Sequence, residues 1–278
     1  MSGPLVLKFG GELIEDPPKL ATVVATIRRV VDSGARALVI VHGGGKEIDL
    51  ALKAAGIEKR QVEGLRITDE ATLNVVVAVL AGAVNTRLVA ALTATGVQAV
   101  GLTGVDGACG LSDPAPAHRT VDGRVVDLGH VGLPVAGTDT RVLTTLVGAG
   151  FVPVVASIGV GRDGALFNVN ADTLAGHLAA RLGAWRLVIA GTTAGVLDGS
   201  GATEPALDQA AIARLVDEGT ATAGMIAKLR ACQQAIAAGV GDVVIVDGRD
   251  GAALEAAAAG RIPDRATRIA DAKTVETT

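Results

Sequence analysis

Short, mainly apolar runs recur along the chain, and they alternate with stretches whose apolar residues have helical spacing. Runs of this length and composition predict β-strands that are buried on both faces. Buried strands that alternate with helices form a largely parallel sheet covered by helices, which is an α/β architecture. The predicted strands are Leu5–Phe9, Ala37–His42, Gln98–Leu102, Val152–Ser157, Arg186–Ala190 and Asp242–Val246.

Length and composition limit the classes of protein to consider. The 278 residues suffice for one large domain or two lobes, and we place a lobe boundary near Val160–Phe167, which gives residues 1–165 and 166–278. A hydrophobic content of 49% excludes a disordered chain. Because aromatic residues make up only 1% and the net charge is −4, we expect no nucleic-acid partner.

Signals for targeting, membrane insertion and metal binding are weak. The first predicted strand begins at Leu5, so we expect no signal peptide. The longest apolar run, Val75–Val84, is too short to span a bilayer. The two cysteines and four histidines have no spacing typical of a metal site. We therefore expect a cytoplasmic protein without a membrane partner.

Glycine-rich loops follow the first two predicted strands, as Lys8-Phe9-Gly10-Gly11 and His42-Gly43-Gly44-Gly45. A glycine loop that leads into a helix presents backbone N–H groups to an anion, at the carboxyl edge where ligands of parallel sheets bind. A lysine within an apolar strand is costly unless it meets an anion, so Lys8 is a candidate phosphate-binding residue. Taken alone, Lys8 also fits a solvent-facing lysine on an edge strand before an ordinary glycine turn.

A long helix is predicted at about Asp69–Thr95. Its apolar residues lie on several sides of the helix, so it must be buried in the core or in a subunit interface. We take it as the candidate dimer surface.

Four segments occur in a fixed order along the chain: Lys8-Phe9-Gly10-Gly11, His42-Gly43-Gly44-Gly45, Asn168-Val169-Asn170-Ala171-Asp172 and Gly224-Met225-Ile226-Ala227-Lys228. Together they resemble the amino acid kinase family, and the resemblance extends from Leu5 to about Ile269. No Walker A motif is present, so the chain does not resemble a P-loop kinase. The resemblance implies a three-layer α/β sandwich with a mainly parallel central sheet and two lobes.

Three further segments resemble the members of this family that act on N-acetyl-L-glutamate. They are Gly64-Leu65-Arg66-Ile67-Thr68, Gly129-His130-Val131-Gly132 and Ser157-Ile158-Gly159-Val160. The implied activity is ATP-dependent phosphorylation of the γ-carboxylate, a step of arginine biosynthesis, without a covalent intermediate. Since a carboxylate is already a nucleophile, such a transfer needs alignment and charge stabilisation rather than a general base.

The resemblance also implies a role for each matching residue. Lys8 and Lys228 would stabilise the transferred phosphoryl group, and Asp172 would orient both lysines. The substrate-binding residues, in the N-terminal lobe with the dimer surface or at its border, would be Gly44, Gly45, Arg66 and Asn168. The nucleotide-binding residues would be Gly10, Gly11, Thr192, Thr193, Gly195, Val196, Leu197, Thr220, Ala221 and Thr222, mostly in the C-terminal lobe. Mg²⁺ would be held by the phosphates of ATP, without a direct protein ligand.

The chain departs from the family pattern on the adenine side. Gly191-Thr192-Thr193 stands where many members have Ser or Thr followed by Asp or Asn, and Ala223 stands where an acidic residue or glycine is frequent. In addition, arginine-inhibited hexameric members have an extra N-terminal helix, whereas only Met1–Pro4 precede the first strand here. We therefore expect a homodimer that arginine inhibits weakly.

Two other functions remain open. One is a related acyl-phosphate-forming kinase that acts on a carrier-linked aminoadipate or glutamate, against which Gly64-Leu65-Arg66 argues. The other is a non-catalytic regulator that binds an amino acid or a nucleotide. The combination of Lys8, Asp172 and Lys228 argues against a regulator, because a protein that only binds its ligand does not need two lysines held by one aspartate.

Overall fold

The computed structural model describes residues 3–34, 37–120, 122–217 and 223–270. The α-helices are α1 (Gly11–Ile14), α2 (Pro17–Asp32), α3 (Gly45–Ala54), α4 (Glu70–Val77), α5 (Asn85–Ala94), α6 (Arg141–Gly148), α7 (Ala171–Arg181), α8 (Gln209–Asp217), α9 (Ala223–Ala237) and α10 (Gly251–Ala258), with a π-helix at Ala78–Val84 and a 3₁₀ turn at Asp106–Ala108. The strands are β1 (Leu5–Phe9), β2 (Leu38–His42), β3 (Gln61–Val62), β4 (Leu65–Arg66), β5 (Ala99–Thr103), β6 (Ser112–Pro114), β7 (His118–Arg119), β8 (Val125–Val126), β9 (Val131–Pro134), β10 (Val152–Ala156), β11 (Ile158–Val160), β12 (Leu166–Val169), β13 (Arg186–Gly191), β14 (Val196–Leu197), β15 (Thr203–Glu204), β16 (Ala206–Leu207), β17 (Val243–Asp247) and β18 (Thr267–Ile269).

The central sheet contains all six strands predicted from the apolar runs. Within the described residues it has eight strands in the order β16-β18-β17-β13-β1-β2-β10-β5, and only the β17–β18 pairing is antiparallel. The predicted mainly parallel α/β fold is therefore confirmed. Lys8 lies opposite Ile189 on one side and Val41 on the other, so β1 is an interior strand. This position excludes a solvent-facing lysine on an edge strand.

Side chains of β1 alternate between two hydrophobic clusters, one on each face of the sheet. Leu5, Leu7 and Phe9 pack into the cluster that includes residues of α2, α5 and α10. Val6 packs into the cluster that includes residues of α7 and α9. Successive side chains of a strand point to opposite faces, so Lys8 shares the face of Val6. The three layers therefore place Lys8 beneath α7, which packs on β1.

The predicted long helix is one continuous helical segment, but its middle part is a π-helix. α4 passes at Ala78 into the π-helix, which ends at Val84 where α5 begins. The whole stretch packs on β5, β10, α2 and α3. By length and composition alone, Glu70–Ala94 is long and apolar enough to cross a membrane, although the core helix of a soluble protein passes the same test. The prediction that no segment spans a bilayer considered only the uninterrupted apolar run Val75–Val84, which is shorter than this helix.

A second, smaller sheet and two hairpins lie outside the central sheet. This sheet has the order β11-β12-β9-β6, and the hairpins are β3–β4 and β7–β8. β12 ends at Val169, directly before Asn170 and α7. The central sheet takes strands from both 1–165 and 166–278, and the lobe boundary remains a prediction.

Replacement of Leu88 by alanine tests the packing of α5 on the central sheet. Leu88 is 1% exposed, so the substitution leaves a cavity that its neighbours fill only in part. We expect Leu88→Ala to lower the free energy of unfolding by about 2–5 kcal/mol in urea titrations. Thr86→Ala, at an exposed position of the same helix, should change it by about 0.5 kcal/mol or less. Equal effects of both substitutions would contradict the assigned burial.

Candidate active site

Two lysines from distant parts of the chain meet one aspartate at the carboxyl edge of the central sheet. Lys8 Nζ lies 2.7 Å from Asp172 Oδ1, and Lys228 Nζ lies 3.3 Å from Asp172 Oδ2. Lys8 comes from β1 and Lys228 from α9, which packs against α7. The structure therefore brings together the three residues that the sequence suggested as catalytic.

Asp172 is positioned by the start of α7. Asn170 is the N-cap, and its Oδ1 accepts hydrogen bonds from the N–H groups of Asp172 at 2.9 Å and Thr173 at 3.1 Å. The first turn of a helix is its positive end, which favours a carboxylate there. The N-cap and the helix dipole together hold the Asp172 carboxylate at this end of α7.

The three charged groups are largely removed from solvent, and burial and their mutual charges together shift their pKa values. Lys8 is 6% exposed and Asp172 is 7% exposed. Burial alone would raise the pKa of Asp172, but the charges of Lys8 and Lys228 outweigh it and lower the pKa to about 2. Burial lowers the pKa of Lys8, whereas for Lys228 burial is outweighed by Asp172 and the pKa is raised. Two ammonium groups and one carboxylate leave an excess of positive charge that suits an anion.

Backbone N–H groups of the two glycine loops converge beside the lysines. A Cβ on Gly11 would lie 2.8 Å from Gly44 Cα and 2.9 Å from Gly45 N, so only glycine at position 11 lets the two loops approach. Among the hydrogen bonds that the described residues form with one another, none uses the N–H of Gly11, Gly44 or Gly45. Such unsatisfied donors at helix N-termini form an anion-binding cradle.

Arg66 and Asn168 lie on a second side of the site and are linked through Thr68. The Thr68 hydroxyl donates to Arg66 O at 3.1 Å and accepts from Asn168 Nδ2 at 3.1 Å. The Arg66 guanidinium is bound to Asp49 of α3 through Nη2, while its buried Nη1 has no hydrogen-bond partner among the described residues. A buried donor without an acceptor is costly, and a ligand carboxylate would satisfy it.

This geometry agrees with comparisons against known proteins. A family model described as "Amino acid kinase family" matches residues 3–247. The chain belongs to the amino acid kinase family. The resemblance drawn from the motifs is thus confirmed, and membership of a kinase family implies the use of ATP.

Named relatives within the amino acid kinase family are acetylglutamate kinases. The enzyme of Methanopyrus kandleri is 42% identical over 242 residues, which cover 86% of this chain and 93% of that enzyme. The enzyme of Novosphingobium aromaticivorans is 43% identical over 243 residues, which cover 84% of this chain and 80% of that enzyme. A solved structure of N-acetylglutamate synthase from Neisseria gonorrhoeae, complexed with coenzyme A and N-acetyl-glutamate, has a TM-score of 0.79 at 26% identity and covers 96% of this chain and 59% of that chain.

The loop after β13 is the predicted nucleotide segment of this amino acid kinase family member. Thr192 reaches the site, where its hydroxyl lies 3.5 Å from Glu12 Oε1. Gly195 has a φ of +71°, and a Cβ there would lie 2.5 Å from Thr267 Oγ1. The Val196 N–H donates to the same Thr267 hydroxyl at 2.8 Å, so it is not available to a nucleotide. Thr193 lies in this loop, and Leu197 lies in β14. The described residues do not include Thr220, Ala221 or Thr222.

Two acidic residues after the first glycine loop were not singled out from the sequence. The charge of Glu12 acts on both Lys8 and Lys228. Glu15 Oε1 accepts a hydrogen bond from the Glu47 N–H at 3.3 Å, at the start of α3, and burial raises the Glu15 pKa. Glu12 follows Gly10-Gly11 directly and Glu15 stands three residues later, and this closeness to the glycine loop was the available signal. Among the residues that the structure describes, no group of three or more His, Cys, Asp or Glu side chains forms a metal site.

A cavity of about 490 Å³ lies between the β3–β4 hairpin, β9 and α9. Its lining includes Leu65, Val131 and Ala227 and, at the start of α7, Asn170. The charged residues of the candidate site do not line it, so it adjoins the site only at the Asn170 N-cap.

Replacement of Asp172 by asparagine tests the charge balance of the site. We expect Asp172→Asn to lower the free energy of unfolding at pH 7 by about 3–5 kcal/mol, because it leaves two buried ammonium groups without a counter-charge. The pKa of Asp172 is about 2 in the folded chain, below the ordinary aspartate value of 3.8. Its stabilising effect is therefore complete above pH ~4 and is lost as the pH falls toward ~2.

Denaturant titrations between pH 7 and pH 2 measure both effects. The wild-type chain should lose about 2 kcal/mol through Asp172 over the acid part of this range, and Asp172→Asn should lack this component. The exposed Asp113→Asn is the matched control and should follow the wild-type curve. If Asp172→Asn lost as much stability between about pH 4 and pH 2 as the wild-type chain, the low pKa assigned to Asp172 would be refuted.

Proposed function

We propose that this member of the amino acid kinase family phosphorylates the γ-carboxylate of N-acetyl-L-glutamate with ATP and so catalyses a step of arginine biosynthesis. The observation that carries the proposal is the meeting of Lys8 and Lys228 on Asp172, beside the N–H groups of Gly11, Gly44 and Gly45, which have no acceptor among the described residues. The relatives named acetylglutamate kinase support the choice of substrate.

Lys8 and Lys228 stabilise the transferred phosphoryl group. Each ammonium has three N–H donors, and contact with one carboxylate leaves donors for phosphoryl oxygens. Because Asp172 fixes both ammonium groups in advance, little reorganisation is needed when charge develops. With a pKa of about 2, Asp172 stays ionised and does not serve as a base. The substrate carboxylate attacks directly, so no covalent enzyme intermediate forms.

The glycine amides and Arg66 align the two anions. The N–H groups of Gly11, Gly44 and Gly45 bind the γ-phosphate and the attacking carboxylate. The unpaired Nη1 of Arg66 binds the α-carboxylate of acetylglutamate, and Asn168 hydrogen-bonds the same substrate. Mg²⁺ would be held by the phosphates of ATP, without a direct protein ligand, and would offset the charge between the two anions.

The two parts of the chain divide these tasks. Residues 1–165, with Asn168 at their border, hold acetylglutamate, and residues 166–278 hold the nucleotide through the loop at Thr192–Leu197. The protein acts in the cytoplasm, without a nucleic-acid or membrane partner.

A second copy of this chain packs on the outer face of the long helix. Small residues that are exposed or half-buried give this face a flat surface that a second backbone can approach closely, namely Ala78, Gly82, Ala83 and Ala90. Sedimentation should therefore report twice the mass of one chain, and arginine should inhibit weakly. A hexamer, or inhibition by micromolar arginine, would overturn this proposal.

A hydroxamate assay with MgATP tests the reaction. Acetylglutamate should give an acyl phosphate, which excludes a non-catalytic regulator, and carrier-linked aminoadipate should not. We expect Lys8→Ala and Lys228→Ala each to lower kcat by about 10²-fold or more, since each removes a charge from the transition state. Lys53→Ala, an exposed lysine of α3, is the control and should retain activity.

Circular dichroism should accompany these assays, because Lys8 is buried. Folded Lys8→Ala and Lys228→Ala proteins with wild-type kcat would refute the assigned roles.

Substitution of Arg66 separates substrate binding from chemistry. Lysine keeps the charge but loses the paired donors of the guanidinium. We expect Arg66→Lys to raise the KM for acetylglutamate by about 10-fold or more and to leave the KM for ATP nearly unchanged. Arg60→Lys, an exposed arginine that pairs with Asp69, is the control. A rise in the KM for ATP alone would place Arg66 on the nucleotide side.

A further inference from the structure

His42 lies at the end of β2, directly before the Gly43–Gly45 loop, and is fully buried. Its Nε2 is 2.9 Å from Nδ2 of Asn85, the first residue of α5, and its Nδ1 is 3.1 Å from Gly43 O. None of the roles assigned above uses this side chain. A buried histidine whose two ring nitrogens both have defined hydrogen-bond partners helps to fix the position of those partners.

The partners of Asn85 fix the tautomer of His42. Asn85 Nδ2 lies 2.9 Å from Val154 O, 3.4 Å from Leu102 O and 2.9 Å from His42 Nε2. Because an amide nitrogen donates and does not accept, His42 Nε2 must be the acceptor of this contact. A neutral imidazole that accepts through Nε2 carries its proton on Nδ1, so His42 donates to the Gly43 carbonyl. Burial lowers the pKa of His42 to about 4, which keeps the ring neutral at physiological pH.

The Gly43 carbonyl and the Gly44 N–H belong to one peptide group. This group is planar and trans, so its C=O and N–H point in opposite directions. When His42 holds the Gly43 carbonyl, it also fixes the direction of the Gly44 N–H. That N–H has no acceptor among the described residues and belongs to the anion cradle.

The π-helix holds the same peptide from its other side. A Cβ on Gly44 would lie 2.9 Å from Leu80 and 3.1 Å from Val84, so the Gly44 backbone rests directly on the π-helix. Asn85 follows Val84 immediately. One segment therefore packs on Gly44 and also supplies the residue that orients His42, and π-helical turns are frequent at functional sites.

We propose that His42, oriented by Asn85, is a positioning residue that aims the Gly44 N–H at the reacting anions. This inference rests on the proposed kinase function. It extends that function by assigning a role to a buried pair that does not touch the substrates.

Two substitutions of His42 separate its two hydrogen bonds. The side-chain amide of asparagine takes the place of Nδ1, so His42→Asn keeps a donor for Gly43 O and loses the acceptor for Asn85. The amide of glutamine reaches the place of Nε2, so His42→Gln keeps an acceptor for Asn85 and loses the donor for Gly43. His177→Gln is the control, because His177 pairs with Thr138 away from the glycine loops.

We expect kcat to depend mainly on the hydrogen bond from the side chain at position 42 to Gly43 O. His42→Gln should lower kcat at least ~10-fold more than His42→Asn does, because one misaligned backbone donor weakens transition-state binding. His42→Asn should show the greater loss of thermal stability, with a Tm lower by about 3–6 °C, because Asn85 loses a buried acceptor. His177→Gln should keep the wild-type kcat.

An NMR measurement keeps this test independent of turnover. The Gly44 amide shift should move on addition of a non-hydrolysable ATP analogue with acetylglutamate in the wild-type chain, and the movement should be reduced in His42→Gln. If the wild-type chain shows this movement but no acyl phosphate forms, the proposed function fails while the positioning role stands. If the kcat losses of both variants simply follow their Tm losses, or if His42→Gln keeps wild-type kcat and shift, His42 has no positioning role.

Discussion

The ion pairs between Asp172 and its two lysines are the interaction on which the site depends. Buried charges are normally neutralised, yet here two largely buried ammonium groups share one carboxylate. Asp172 reduces the repulsion between Lys8 and Lys228 without cancelling it. The remaining positive charge is stabilised only when an anion binds. The N–H groups of the glycine loops beside it also need an anion as their acceptor.

The parallel sheet makes this arrangement possible. Because β1 is an interior strand, its backbone is held by β13 and β2, which fixes the point from which the Lys8 side chain extends. The alternation along β1 buries Leu7 and Phe9 under one helical layer and turns Lys8 toward the other, where α7 presents Asp172. The same edge of the sheet holds the loop after β2, so cation and amide donors converge without any long-range adjustment of the chain.

The sequence predicted the elements of the fold well because their patterns are local. Apolar runs identified the central strands, and the apolar stretch after Asp69 identified the long helix. Lys8 alone remained ambiguous, since the difference between an interior and an edge strand depends on pairing with a distant segment, β13. Only the family resemblance resolved it, by joining Lys8 to Asp172 and Lys228.

Other features depended on packing that no local pattern contains. The π-helix at Ala78–Val84 arises in a run of small and aliphatic residues that is typical of an ordinary helix. The use of the Val196 N–H by Thr267 depends on a contact across 71 positions. His42 has the pattern of the end of an apolar strand, and its role emerges only when Asn85 is placed beside it.

A crystal structure with ADP, aluminium fluoride and N-acetyl-L-glutamate would test directly whether Lys8 and Lys228 bind the transferred phosphoryl group. We expect Nζ of Lys8 and Nζ of Lys228 both to lie within about 3 Å of fluorides that mimic the phosphoryl oxygens, while both remain in contact with Asp172. A complex in which either lysine points away from the fluoride, or in which the aluminium lies away from the glycine loops, would contradict this expectation.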